Sequence, residues 1–145
     1  MSSPDPYDLQ RFNYAQHGVF ATALAELAAG SKRTHWMWFV FPQLAGLGRS
    51  PTAQFYGIAG LDEARAYLDH PLLGARLRQA LEALLPWAGQ RLAEQILGSI
   101  DAMKLHSCLT LFDCVSPNDC FAAGLAAFFA GEADERTLAL VAPTR

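Results

Sequence analysis

The sequence is short of charge. Asp, Glu, Lys and Arg together make up 17% of its 145 residues, below the roughly 25% of an ordinary soluble chain. The balance of 11 basic against 14 acidic residues leaves a formal net charge of -3. There is no basic excess to neutralise phosphates, which excludes general nucleic-acid binding. Cysteine is scarce: Cys108, Cys114 and Cys120 are odd in number and lack the close C-x2-C pair and partnering histidines of zinc sites. They read as free, buried thiols in a reducing cytoplasm, and no metal or cofactor is expected. No apolar run reaches the about 18 residues of a membrane span. The first six residues, Met1 to Pro6, show neither the basic nor the apolar region of a secretory leader, and the C-terminus carries no lipidation or retention signal. G-x-S-x-G, H-E-x-x-H and an EF-hand loop are all missing, which sets aside serine-triad hydrolases, zincins and calcium sensors. Repeats, low-complexity tracts and long linkers are missing as well.

What is present is apolar. Hydrophobic residues reach 52%, too many for a disordered chain and enough for one domain with a solid core. Leu9, Phe12, Val19, Phe20, Ala23, Leu24 and Leu27 fall at helical spacing, which predicts a helix over about 8–29 closed by Gly30. The stretch Thr34 to Gly48 contains no charged residue. Within it, residues 35–41 read equally as a buried helix or a buried strand, ended by Pro42. Ser50-Pro51 has the form of an N-cap followed by proline at the first helical position. Asp62-Glu63 suit the first turn of a helix running to about Asp69, and Pro71 restarts a helix through Leu85. Gln90 to Leu97 forms a short amphipathic helix stopped by Gly98. Ser99 to about Cys114 is apolar almost all round, as a central buried helix would be. Ser116-Pro117 is expected to cap a helix ending near Gly131, and Asp134 to cap a last one over 135–141. Eight or so helices with short connections make an all-α, mainly helical, single compact orthogonal multi-helix domain over 1–145, with a short flexible tail at about 1–4 and room for one short strand element.

Four features could carry chemistry. Asp101, Lys104 and Ser107 are three apart and share one stripe of the otherwise apolar 99–114 helix. Ions inside an apolar helix need partners. The stripe reads either as the polar floor of a pocket, with Asp101 or Lys104 as proton donor, acceptor or electrostatic clamp, or as an i,i+3 ion pair with Ser107 bonded back to the main chain. Trp36 and Trp38 could form an aromatic wall that stacks a flat ring, with His35 and Gln43 orienting it; the plainer alternative is core filling. Gly46, Gly48 and Ser50 precede a helix start, where free N–H groups form an anion-binding turn or where the glycines simply allow a bend. Arg76 could hold a phosphate or carboxylate or lie along the surface.

Several strings in the chain are found together in one family. They are Asp5-Pro6-Tyr7-Asp8-Leu9 with Arg11-Phe12, Gly30 with Lys32, His35-Trp36-Met37-Trp38-Phe39-Val40-Phe41-Pro42-Gln43, Gly46-Leu47-Gly48, His70-Pro71, Asp101 with Lys104-Leu105 and Ser107, and Asp134 with Thr137-Leu138. On these strings the chain resembles domain-of-unknown-function family 1810, a set of mostly bacterial proteins, over nearly its whole length. The resemblance implies a compact, mainly helical fold and no established activity. The calpastatin label carried by some members does not suit this chain, since such inhibitors are disordered. The order of elements is also similar, more distantly, to helical N-glycosidases of ADP-ribose and riboflavin-intermediate metabolism, whose motif does not match residue by residue.

The expected function is binding or hydrolysis of a nucleotide-like or ADP-ribose-like small molecule. Asp101, Lys104 and His35 are the catalytic candidates. Trp36, Trp38, Gln43, Arg76 and Ser107 are expected to contact the ligand, with Gly46, Gly48 and Ser50 as the anion-binding turn. The alternative is a non-catalytic interaction module or homodimer, since the apolar excess can serve an interface as well as a core. A cytoplasmic monomer or small homo-oligomer is expected.

Overall fold

The computed structural model describes residues 5–141. The N-terminal tail expected at about 1–4 lies outside them. The described residues form ten α-helices: α1 (Gln10–Gln16), α2 (Phe20–Ala28), α3 (Met37–Val40), α4 (Pro51–Tyr56), α5 (Leu61–Asp69), α6 (Leu73–Leu84), α7 (Ala93–Leu97), α8 (Ser99–Val115), α9 (Cys120–Phe129) and α10 (Glu135–Val141). Two 3₁₀ turns, Ala45–Leu47 and Leu85–Trp87, complete the regular structure. The one strand-like feature described is an isolated parallel bridge between Leu44 and Ile58. The all-α expectation therefore holds, and the ambiguous 35–41 segment resolves into the four-residue helix α3.

Helix α8 is the hub. It packs against α5, α7, α9 and α10, while α6 packs against α2, α5 and α9. Leu105, Cys108, Leu109, Leu111 and Phe112 of α8 are fully buried, which is why its sequence is apolar on nearly every side. Phe112 lies between Tyr67 and Phe121, with ring centroids 5.5 and 5.7 Å away. The buried hydrophobic residues of α2, α5, α6, α8 and α9 belong to one core cluster.

Three sequence expectations shift. The helix expected over 8–29 is two helices, because Gly18 takes φ +77°, a conformation open to glycine that breaks the run. The cap of α9 is Asp119 rather than Ser116. The Asp119 carboxylate accepts from the Cys120 amide at 2.7 Å and from the Ser116 hydroxyl at 3.0 Å. The helix begins only at Cys120, after Asn118 at φ +69°, too late for Ser116 to reach its first turn. Of the three free thiols, Cys108 is buried, Cys120 partly so and Cys114 exposed. The Ser50 and Asp134 caps form as read from the sequence, and His70 adds one that the sequence reading did not assign. Ser50 Oγ accepts from the Ala53 amide, Asp134 Oδ2 from the Thr137 amide, and His70 Nδ1 from the Leu72 and Leu73 amides at the α5–α6 junction.

Candidate functional site

The site begins with a connection rather than a helix. Residues 31–36 join α2 to α3, and the buried Glu26 organises them. Its carboxylate accepts from the Arg33 and Thr34 amides, the Thr34 hydroxyl and the Trp36 indole N–H at 2.6–3.0 Å. Burial alone would push this carboxyl up, but the Thr34, Arg33 and Trp36 donors outweigh it and hold the pKa down at about 2. Glu26 is thus a fixed anion inside the fold. The Lys32 amide donates to the Ile96 carbonyl at 2.8 Å, which ties the connection to α7.

That fold places Lys32 against α8. Its ammonium lies 2.8 Å from Asp101 Oδ2, while Lys104 reaches Oδ1 of the same carboxylate at 3.1 Å. All three side chains are largely buried, at 9%, 16% and 15% exposure for Lys32, Asp101 and Lys104. Among the described residues, Asp101 is the one acid within 4 Å of either ammonium. Within 4 Å the two ammonium groups share this one carboxylate in a poorly solvated place, and the Glu26 carboxylate is bonded to the Trp36 indole that Lys32 faces. Each ammonium also faces an indole: Lys32 stands 5.3 Å from the Trp36 ring centroid and Lys104 3.7 Å from that of Trp38. Burial would raise the Asp101 carboxyl, but the hydrogen bonds and charges of the two lysines prevail and lower it. Asp101 is thus favoured as a carboxylate, the form that the acceptor and clamp roles among its expected ones require.

Trp36 and Trp38 flank the cluster, but none of the other expected residues is bonded to Lys32, Asp101 or Lys104. Trp36 is fully buried, with its indole N–H on Glu26, so it is core filling and cannot be half of a stacking wall; Trp38, partly buried, stands alone. His35 is exposed. The Gln43 carbonyl accepts from the Ile58 amide beside the Leu44–Ile58 bridge. Arg76 belongs to a separate network: it donates to Gln16 Oε1, and Gln16 in turn donates to the Phe39 carbonyl and the Tyr67 hydroxyl. Its guanidinium lies over Phe20. Burial pushes the Tyr67 phenol well above its ordinary range, so it stays a neutral partner. Ser107 bonds back to the Met103 carbonyl and across to Asp134, which docks α10 on α8. The 46–51 turn is held by packing. A Cβ on Gly48 would meet that of Ala53 at 2.5 Å, and the Ser50 hydroxyl is engaged as the cap of the six-residue α4.

Four surface recesses of about 240–380 Å³ lie elsewhere, lined chiefly by residues 89–95 and 127–129, 59–63, 83–87 and 99–106. None of these four has the lysine cluster as its floor. Sequence reasoning gave no chemical role to Glu26 and did not connect Lys32 with Asp101, since no local spacing links residues 26 and 32 to residue 101. The family strings did contain Lys32.

The comparisons agree with this architecture. The family model described as "Protein of unknown function (DUF1810)" matches residues 6–141, and the chain belongs to that family. A crystal structure of the conserved hypothetical protein Rv1873 from Mycobacterium tuberculosis is similar at 50% identity and a TM-score of 0.92, over 97% of this chain and all of that one. No curated protein matches. No helix among the described residues is long and apolar enough to cross a membrane.

Proposed function

We propose that this member of the DUF1810 family binds a small nucleotide-like or ADP-ribose-like anion at the Lys32–Asp101–Lys104 cluster, with Trp38 beside it. One observation carries the reading: two largely buried ammonium groups share a single carboxylate. An excess charge in a low-dielectric setting attracts a counter-ion far more strongly than one in water. The adjacent indole suits the ring of a nucleotide better than a bare inorganic ion.

The same arrangement favours binding over hydrolysis. Cleavage of an N-glycosidic bond develops positive charge at the sugar. A carboxylate neutralised twice over, inside a cluster of net positive charge, opposes that charge. The groups suit the ground-state anion.

Thermal unfolding with nucleoside mono- and diphosphates and ADP-ribose tests the reading. A ligand that binds the folded state alone, at about one hundred times its Kd, adds about 2.7 kcal/mol, seen as a rise of several degrees in Tm. At the same ligand concentration Lys104→Ala should show about half that rise, as a roughly tenfold weaker Kd requires. Absence of any shift in the wild-type protein at millimolar ligand rejects the proposal.

A second reading, an interaction module or homodimer, is favoured by one surface. Leu92, Ile100 and Met103 are 67%, 70% and 61% exposed, and Leu92 and Met103 line a recess with Phe128 and Phe129. Light scattering on purified protein decides it: a dimer whose association weakens in Met103→Glu supports this reading, and a strict monomer at high concentration rejects the homodimer.

A further inference from the structure

We infer that Lys104 makes ring stacking on Trp38 conditional on an anion, so that the site admits a phosphorylated nucleoside and refuses the nucleoside alone; the inference rests on the binding reading above. The two lysines are not equivalent. Lys32 is the more buried, makes the shorter bond to Asp101, and sits on a connection pinned by its own amide to Ile96. Lys104 reaches Asp101 from three residues along α8 and makes the longer bond. If Lys104 leaves, Lys32 and Asp101 remain as a balanced pair. Lys104 is therefore the surplus cation and the one an incoming anion can recruit.

Its resting place gives that recruitment a consequence. At 3.7 Å from the Trp38 centroid, the ammonium occupies the height above the indole at which a flat ring would stack. A nucleobase cannot use that face while Lys104 lies on it, and a neutral nucleoside offers nothing to draw the ammonium away. A phosphate does, since a charge-assisted bond to a dianion is stronger than a shared contact with a carboxylate already paired to Lys32. Once Lys104 turns to the phosphate, the indole face is free for the base.

Three probes separate the parts: adenosine, adenosine 5′-monophosphate and ribose 5-phosphate, titrated calorimetrically and by tryptophan fluorescence. In the wild type, adenosine monophosphate should bind about tenfold tighter than ribose 5-phosphate, with adenosine undetectable. In Lys104→Ala the monophosphate should weaken by about tenfold while adenosine gains measurable affinity, because the face is then open. In Trp38→Leu the monophosphate and ribose 5-phosphate should bind equally; if that variant fails to fold, the Lys104→Ala comparison decides alone. If the monophosphate binds the wild type but adenosine binds Lys104→Ala no better than wild type, the conditional stacking is wrong and the binding site stands. If none of the three binds the wild type, both fall.

Discussion

Asp101 receives Lys104 on one carboxylate oxygen and Lys32 on the other, at 3.1 and 2.8 Å. The first contact is local to one helix, and the second crosses 69 residues of sequence to join the α2–α3 connection to α8. Asp101→Asn removes the shared anion and leaves two ammonium groups facing each other. Exposed pairs are worth about 0–1 kcal/mol and the loss of one partner of a buried pair about 3–5. For these partly exposed groups we expect a loss of about 1–3 kcal/mol, shrinking as salt screens the remaining repulsion. Anion affinity should rise at the same time, since both lysines are released. Urea unfolding at low and high salt, together with phosphate titration, checks the two opposed effects. A variant that loses stability and also loses anion affinity would contradict the cluster's assigned role.

Glu26 sets the acid stability of the same region. Its folded-state pKa of about 2 lies below the ordinary value of 4.5. The stabilisation is therefore complete above about pH 4.5 and is withdrawn as pH falls toward 2. A difference of that size corresponds to about 3 kcal/mol at most. Glu26→Gln should be less stable than wild type near neutrality, with the gap closing toward pH 2. An amide also replaces one acceptor by a donor where four N–H and O–H groups already point inward. Urea midpoints between pH 7 and 2.5 measure the gap. A gap that stays constant with pH would show that packing, and not the charge, is what the substitution removes.

The 46–51 turn offers a contrast between structure and binding. Ser50→Ala removes the cap of α4 and should cost about 1 kcal/mol. Gly48→Ala forces a Cβ to 2.5 Å from that of Ala53 and should cost about 1–3 kcal/mol by overpacking. Both substitutions should leave phosphate and nucleotide affinity unchanged. Loss of affinity in the capping variant, with its fold intact, would restore the turn as an anion site.

Arg76 supplies a second control. It bonds to Gln16, which also serves the Phe39 carbonyl and the Tyr67 hydroxyl. Arg76→Gln should lower stability by up to about 1.5–3 kcal/mol, the worth of a hydrogen bond from a charged group, and should leave ligand affinity unchanged. Calorimetry on the variant tests this, and a large drop in affinity would place Arg76 at the ligand.

Much of the fold is legible in the chain because the relevant forces are local. Ser50 and Asp134 cap helices from the positions at which their side chains meet amides three residues on. The all-round apolarity of 99–114 marks the buried hub. Gly18 was legible too, but the apolar spacing on both sides of it outweighs a single glycine when periodicity alone is read. At 35–41, apolar residues on both possible faces make helix and strand equivalent until neighbours pack.

The site divides along the same line. Sequence alone places Asp101 and Lys104 one helical turn apart, and it marks the polar residues of the apolar segments as the ones that need partners. Tertiary structure decided what those partners are. It brought Lys32 to Asp101, so that two ammonium groups share one carboxylate where the sequence offered a single pair. It sealed Trp36 on Glu26, left Trp38 with an ammonium on its face, and sent Arg76 and Ser107 to other networks. Helical spacing is set by the backbone and can be read from neighbouring residues. Charge balance and exposure depend on which distant segments share one low-dielectric space, and only the packed chain fixes that.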